Sequence, residues 1–192
     1  MFNDKAHSGD AAAAGLVAKT GFSTTAQAGG VYHVQCLDKD GNLKWEDSMH
    51  NLVVNEGLQN MNTQYFKGST YTAAFYLGLV TGPGSGTTYA AADTLASHAG
   101  WTEYTDYSGS RKAVTFGTAT TADPSVISNS ASPSSFTISG AGGVVAGAFL
   151  CTVASGTSGV LFSEADFQSP GDRTVVSGDT LNVTYTFSLD AA

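Results

Sequence analysis

Residues 180–189, TLNVTYTFSL, alternate strictly between apolar and polar side chains. Leu181, Val183, Tyr185 and Phe187 share one side of this segment, while Asn, Thr and Ser residues share the other. Because side chains alternate across a strand with a period of two, the run is typical of a β-strand with one buried face. Such a strand is stable only when a second layer covers that face, so the segment predicts a layered β fold.

Shorter runs with β character and turn residues between them recur through most of the chain. No βαβ rhythm joins them, and their connections are rich in Gly, Ser and Pro. We therefore predict a mainly β protein, a β-sandwich of jelly-roll or immunoglobulin-like type. The predicted strands lie in the segments VYHVQCL, LKWEDSM, AAFYLGLV, WTEYTDY, KAVTFGT, SSFTISG, GVVAGAFLCTV, GVLFSEADF and TLNVTYTFSL.

The segment DKDGN, residues 38–42, separates the first two of these runs. Its D-x-D-G pattern is similar to the start of an EF-hand calcium loop, but such a loop needs Gly at position 6 and Glu at position 12. Here Gly41 is the fourth residue and Met49 is the twelfth. Asp followed by Gly is ordinary hairpin-turn chemistry, so we predict a β-hairpin and no calcium site.

The segment HNLVVNEGLQNMNTQYF differs from its surroundings because apolar residues return every three to five positions. This spacing predicts one helix from about Val54 to Phe66, with Asn55 as a capping residue, inserted between early and later strands. We expect one broad apolar face of this helix to cover an end or open face of a sheet. The residues predicted on that face are Leu52, Val53, Leu58, Met61, Tyr65 and Phe66.

Residues 1–29 show no sustained period and contain many small side chains. We predict an extended N-terminal arm that becomes ordered against another surface, followed by a β-sandwich domain over residues 30–192. The isolated apolar residues of the arm are the candidate interface residues. These residues are Phe2, Leu16, Val17 and Phe22.

The charge balance argues against two classes of partner. The chain has 8 Lys and Arg residues against 16 Asp and Glu residues, a formal charge of −8, which repels nucleic-acid phosphates. No segment approaches the roughly 20 apolar residues that a membrane-spanning helix needs. The run AAAAGLVA follows the acidic residues Asp4 and Asp10, which is atypical of a secretory signal, so we expect synthesis in the cytoplasm.

Candidate catalytic and metal-binding residues are few and scattered. Glu164 and Asp166 form a pair of carboxylates in FSEADF, which we interpret as solvated side chains rather than glycosidase acids. Neither a nucleophile elbow nor a phosphate-binding loop is present in the sequence. The four histidines occur in separate segments, so we predict no metal, no cofactor and no enzymatic activity. They are His7, His33, His50 and His98.

Cys36 and Cys151 are far apart, and each lies in an apolar alternating run. We expect both to be buried as small hydrophobic residues, because free cysteine is among the most buried residue types. A long-range disulfide between them is the alternative.

Several segments together resemble small structural proteins of tailed bacteriophages. They are NLVVNEGLQNM, FYLGLV with the Gly-rich loop after it, ADTLASHAGWTEYTDYSGSRKAVTFG, SNSASPSSFTI and VVSGDTLNVTYTFSL, and they extend from about Asn51 to Leu189. Proteins of this kind are capsid decoration (cement) proteins or tail-fibre-associated proteins. The resemblance carries no catalytic signature.

The resemblance to decoration proteins implies a compact β-domain with an extended terminal segment that bridges and stabilises capsid subunits. The expected partners are the major capsid protein and further copies of this chain, and the expected location is the capsid surface of the virion. The alternative is a receptor- or glycan-binding tail component, in which exposed aromatic residues stack on the ligand. Its candidate residues are Tyr71, Tyr89, Trp101 and Tyr104.

Overall fold

The computed structural model describes residues 26–67, 74–82, 87–168 and 170–191. Two antiparallel sheets and one helix form a β-sandwich, which confirms the predicted fold class. The elements are β1 (Ala26–Leu37), β2 (Leu43–His50), β3 (Leu52–Val53), α1 (Asn55–Phe66), β4 (Tyr76–Thr81), β5 (Glu103–Tyr104), β6 (Lys112–Ala113), β7 (Ser125–Ser128), β8 (Ser134–Thr137), β9 (Gly143–Cys151), β10 (Leu161–Asp166), β11 (Arg173–Val175) and β12 (Thr180–Ala191).

Sheet A has the strand order β2–β1–β12, and both β7 and β8 pair with the other edge of β12. Sheet B has the order β3–β10–β9–β4, with β5 and β6 along β4 and β11 beside the start of β9. Three short strands, β3, β7 and β11, were not predicted because segments of two to four residues are too short to show a period.

The alternation of TLNVTYTFSL is confirmed in β12. Leu181, Val183 and Tyr185 are fully buried, and Phe187 packs at the edge of the core. Along its whole length β12 pairs with β1, from Leu37 opposite Thr180 to Ala26 opposite Ala191. The inward side chains of β1 and β12 face those of sheet B, and together they form the main core.

The predicted hairpin between β1 and β2 is also confirmed. One carboxylate oxygen of Asp38 accepts hydrogen bonds from the backbone N–H groups of Asp40 and Asn42, at 2.8 and 2.9 Å. Gly41 has φ of 84°, a conformation that glycine adopts without steric cost. The sequence DKDGN therefore supplies the turn itself.

Sheet B is buried on both faces. Its inner face contributes to the main core, and its outer face carries a second cluster that includes Val80, Phe149 and Leu161. Leu95 and Trp101, from the connection between β4 and β5, cover that cluster. This double burial explains why β9 appears in the sequence as a nearly continuous apolar run, GVVAGAFLC.

The helix α1 lies where the sequence predicts it, but its orientation and its cap differ. The capping position is Val54, in extended conformation and without a side-chain hydrogen bond, so the expected Asn55 cap is wrong. Gly57 is the buried residue of the helix, whereas Leu58 is 41% exposed. The predicted apolar face is therefore wrong for Leu58, Tyr65 and Phe66, which are exposed, whereas Leu52, Val53 and Met61 pack against the core as predicted. At twelve residues, α1 is too short to cross a membrane, and no helix in the described parts of the chain is long and apolar enough to do so.

Strand β1 begins at Ala26, so residues 26–29, which the sequence placed in the arm, belong to sheet A. Gly30, within β1, has no room for a side chain, since a β-carbon there would lie 2.6 Å from the carbonyl oxygen of Thr186. The candidate interface residues lie outside the described residues. These are Phe2, Leu16, Val17 and Phe22.

Candidate functional site

An apolar cleft of about 520 Å³ lies at one end of the sandwich. It lies between α1, the start of β4, the segment after β6, and strands β7, β9, β10 and β12. None of the described residues that line it is charged. They are Asn60, Met61, Gln64, Phe75, Val114, Thr115, Phe116, Ile127, Leu150, Phe162, Tyr185 and Phe187.

The side of the cleft formed by α1 depends on Gly57. A β-carbon at this position would lie 2.2 Å from the carbonyl oxygen of Phe162, so only glycine lets the helix backbone approach β10 this closely. Residues three, four and seven positions later fall on the same side of a helix. Asn60, Met61 and Gln64 are therefore directed to the cleft, as its lining shows.

Four phenylalanines from separate segments form the apolar walls. Phe75 contacts Phe116 and Phe162 edge-to-face, with ring centroids 6.0 and 5.6 Å apart. Phe162 contacts Phe187 in the same manner at 5.5 Å. Edge-to-face pairs of this kind stabilise beyond the area that they bury, so the walls are held in place by one another.

A buried hydrogen-bond network supports the floor of the cleft. Ser163 lies between two tyrosines, with its hydroxyl 2.7 Å from the Tyr32 hydroxyl and 3.3 Å from the Tyr185 hydroxyl. The side-chain amide of Asn51 donates to the Tyr185 hydroxyl at 2.9 Å. Burial raises the pKa of both tyrosines, so they remain neutral and bind as hydroxyl groups rather than as phenolates.

Exposed apolar side chains lie next to the cleft. On α1, Leu58 is 41% exposed, and the adjacent Tyr65 and Phe66 are 83% and 80% exposed. The rings of Tyr65 and Phe66 contact each other edge-to-face at 4.9 Å. On β12, Leu189 is 40% exposed and shares a strand face with Phe187 of the cleft wall. Large apolar side chains exposed side by side, as Tyr65 and Phe66 are, are typical of an interaction site.

The pair Glu164 and Asp166 differs from its sequence interpretation. Asp166 is exposed, but Glu164 is completely buried, so the expected solvated side chain at residue 164 is wrong. The Trp101 indole N–H donates to the Glu164 carboxyl group at 2.9 Å. Burial and the nearby Asp93 carboxylate raise the pKa of Glu164 to about 8. Glu164 therefore carries a proton near neutral pH.

The hydrogen bond from Trp101 to Glu164 joins the β4–β5 connection to sheet B, and Asp93 lies nearby. Asp93 also accepts a hydrogen bond from the backbone N–H of Ala90 at 3.2 Å, which fixes the turn that presents its carboxylate. His98 stacks on the Trp101 ring, with centroids 3.8 Å apart. A raised pKa in a cleft would suggest an acid catalyst, but this carboxyl group is enclosed by packed side chains, so its contacts are structural.

The remaining histidines lie apart from one another. His33 contacts Ser48 at 3.0 Å on the outer side of sheet A, and His50 is exposed at the end of β2. In the portions of the chain that the structure describes, no three His, Cys, Asp or Glu residues are grouped so that they could hold a metal ion. His7 lies outside the described residues.

Both cysteines are buried free thiols, which confirms the expected burial and excludes the disulfide alternative. Burial raises the pKa of Cys36 to about 11 and also raises that of Cys151. Both side chains are therefore protonated thiols rather than reactive thiolates.

The aromatic residues proposed as stacking platforms are largely internal. Trp101 and Tyr104 are each 5% exposed, and the Tyr89 hydroxyl is buried, so the expectation that these residues are exposed is wrong. Tyr71 lies outside the described residues. The sequence did not predict the cleft, because its walls come from segments far apart in the chain. The one signal was that Phe187 lies on the apolar face of β12.

Searches with this chain against family models, curated proteins and solved structures find no match. The resemblance to phage structural proteins accordingly stays a prediction.

Proposed function

We propose that this protein is a bacteriophage capsid decoration protein, which binds the capsid surface and joins neighbouring subunits of the major capsid protein. The observation that carries the proposal is the outward apolar face of α1. Tyr65 and Phe66 stabilise the isolated domain little, because they are 83% and 80% exposed, and Leu58 beside them is 41% exposed. A surface of this kind gains its stabilisation when another protein covers it.

The size of the available free energy supports a binding role. Full burial of one large apolar side chain contributes about 1.5–3 kcal/mol. Tyr65 and Phe66 are neighbours and would be desolvated together as the centre of an interface, where aromatic residues contribute most. Specific protein interfaces bury roughly 1,200–2,000 Å², so the α1 face is one part of a larger contact to which the arm adds.

In this proposal the protein acts by binding and catalyses no reaction. The Glu164 carboxyl group, whose pKa is raised, is fully buried inside the domain and accepts a hydrogen bond from Trp101. The protein would be synthesised in the host cytoplasm and would act on the surface of the virion. The alternative of a glycan-binding tail component has less support, because Trp101 and Tyr104 are buried.

The test compares two surface variants on capsid shells that lack the protein. Tyr65→Ser combined with Phe66→Ser should leave the melting temperature unchanged and should greatly reduce occupancy of the shells. Leu43→Ser is the matched control, since Leu43 is 53% exposed on the β1–β2 hairpin, away from α1. Equal occupancy by both variants would show that the α1 face is not the docking surface.

A further inference from the structure

We propose that residues 87–102, which cross the outer face of sheet B, form a strap that opens locally and that the proton on Glu164 keeps closed. Opening exposes the apolar outer face of sheet B while the rest of the sandwich stays folded. The inference goes beyond the proposed function and does not depend on capsid binding.

The strap covers sheet B with little structure of its own. All of its residues are described, and none belongs to a named helix or strand. Leu95 and Trp101 are its two buried side chains, and both pack in the outer cluster of sheet B. The other residues of the strap are half-buried or exposed. Segments with few buried contacts are those that open locally at the least free-energy cost.

Two carboxyl groups hold the two buried residues of the strap. One oxygen of Glu56, on α1, accepts hydrogen bonds from the backbone N–H groups of Leu95 at 3.1 Å and Leu161 at 2.7 Å. One oxygen of Glu164, on β10, accepts from the Trp101 indole N–H at 2.9 Å. Glu164 therefore holds the end of the strap that leads into β5.

Glu164 lies where a negative charge is costly. The residue is fully buried, and its Oε1 atom has no hydrogen-bond partner among the described residues. The Asp93 carboxylate lies nearby, so an ionised Glu164 would place a second negative charge in an apolar cluster. Burial and Asp93 accordingly raise the pKa of Glu164 to about 8. Opening of the strap admits water to the carboxylate and moves Asp93 away, which removes both costs.

None of the titratable groups on the elements around Glu164 forms an ion pair with it in the described structure. They are Tyr89, Asp93 and His98 on the strap, Glu56 on α1, Asp166 on β10 and Tyr32 on β1. His98 can become positive, but its ring stacks on Trp101. The Arg111 guanidinium lies over Phe149 on the neighbouring strand, and its ion pair is with Glu103.

The direction of the pH effect follows from the two states of the strap. In the open state Glu164 is in water and has an ordinary pKa of 4.5, whereas in the closed state its pKa is about 8. Between these values the closed state holds a proton that the open state has lost. The opening equilibrium should therefore rise by up to about tenfold per pH unit in this range and level off above it.

The two cysteines distinguish opening of the strap from complete unfolding. Cys151 is buried in the outer cluster with Leu95 and Trp101, whereas Cys36 is buried in the main core. The full native chain is treated with N-ethylmaleimide between pH 5 and pH 8, and mass spectrometry gives the labelling rate of each cysteine. Dividing each rate by that of the urea-unfolded chain at the same pH removes the intrinsic reactivity of the thiol.

We expect the normalised rate of Cys151 to exceed that of Cys36 and to rise by up to about tenfold per pH unit. Equal rates for the two cysteines would show that only complete unfolding exposes the outer face of sheet B. That result would overturn the proposal.

Three variants test whether Glu164 controls the opening. Glu164→Gln does not titrate and should make the normalised Cys151 rate nearly independent of pH. Glu46→Gln is the matched control, since the Glu46 side chain is 53% exposed, and it should keep the native slope. Asp93→Asn leaves Glu164 in place but removes the neighbouring charge, so the rise should level off at a lower pH. A native slope in both Glu164→Gln and Asp93→Asn would overturn the proposal.

Discussion

Gly57 fixes the position of α1, and with it one wall of the cleft. Alanine is about 1 kcal/mol better than glycine inside a helix, so propensity alone predicts that Gly57→Ala stabilises the protein. The added β-carbon would, however, lie 2.2 Å from the carbonyl oxygen of Phe162 and 3.0 Å from its carbonyl carbon. These atoms are backbone and cannot rotate away.

We therefore expect Gly57→Ala to lower the free energy of unfolding by about 1–3 kcal/mol, as overpacking typically does. Chemical denaturation measures this change. Asn62→Ala, at an exposed position of the same helix, is the control and should leave stability unchanged or slightly raised. A stabilised Gly57→Ala protein would show that α1 does not rest on β10.

Glu164 gives the protein a definite pH dependence. In an unfolded chain its pKa is near the ordinary value of 4.5, whereas burial and Asp93 raise it to about 8 in the folded protein. Between these pH values the folded protein holds a proton that the unfolded chain has lost. The contribution of Glu164 to the free energy of unfolding is fully present below pH 4.5 and falls by up to about 1.4 kcal/mol per pH unit up to the folded pKa.

Glu164→Gln should flatten this decline, because glutamine keeps a donor for Asp93 and an acceptor for Trp101 but does not titrate. The measurement is the free energy of unfolding of both proteins at several values between pH 5 and pH 8. Glu46→Gln is the control, since the Glu46 side chain is 53% exposed, and it should follow the native profile. Parallel profiles for the native protein and Glu164→Gln would contradict the assignment of a buried proton.

At the scale of elements, α1 shows what hydrophobic spacing predicts and what it does not. The spacing predicted the helix and its limits correctly to within one residue. It misplaced the inner face, because the residue that packs most closely is Gly57, which contributes almost nothing to a hydrophobic pattern. Leu58, Tyr65 and Phe66 form the apolar stripe, and they are exposed. Hydrophobic spacing alone does not distinguish an apolar helix face that packs in the core from one that is exposed for binding to a partner.

Two side-chain substitutions measure which residues of α1 pack in the core. Packing of Leu58 in the core would make Leu58→Ala cost about 2–5 kcal/mol. Because Leu58 is 41% exposed, we expect a loss below about 1 kcal/mol. Met61→Ala should cost more, since Met61 packs against the main core. Chemical denaturation of both variants decides the point, and a larger loss for Leu58→Ala would reverse our description of the helix.

The strands were predictable where one face is exposed to solvent and the other is buried, because the side chains then alternate between polar and apolar. The two-residue period of β12 and β1 was visible in the sequence, and the DKDGN turn identified β2 as the hairpin partner of β1. The burial of Glu164 was not predictable, because the residues that enclose it, Trp101 and Asp93, are far away in the chain and meet it only in the folded protein. The cleft was missed for the same reason, since its phenylalanines come from four separate segments.

At the scale of the whole molecule, the described residues from Ala26 onward form a sandwich with its own core. Both sheets, the helix and the two apolar clusters lie within the described residues. We therefore expect deletion of residues 1–24 to leave the melting temperature unchanged, because the small residues of this segment bury too little area to offset an ordering cost of roughly 1–2 kcal/mol per residue.

Thermal unfolding of the full chain and the deletion, at matched low concentration, makes this comparison. The same deletion should greatly weaken binding to shells, because it removes Phe2, Leu16, Val17 and Phe22. If the deletion variant fails to fold, the segment belongs to the core and the domain boundary is wrong. If it saturates shells as well as the full chain does, the segment is not part of the capsid contact.

The most direct test of capsid decoration is the stoichiometry of this protein in purified virions, measured by quantitative gel or mass spectrometry against the major capsid protein. Decoration predicts a copy number in a fixed, simple ratio to the capsid subunits, with the protein lost from shells when Tyr65 and Phe66 are replaced by serine. A copy number that matches the few copies of a tail component, or absence from the particle, would contradict the account.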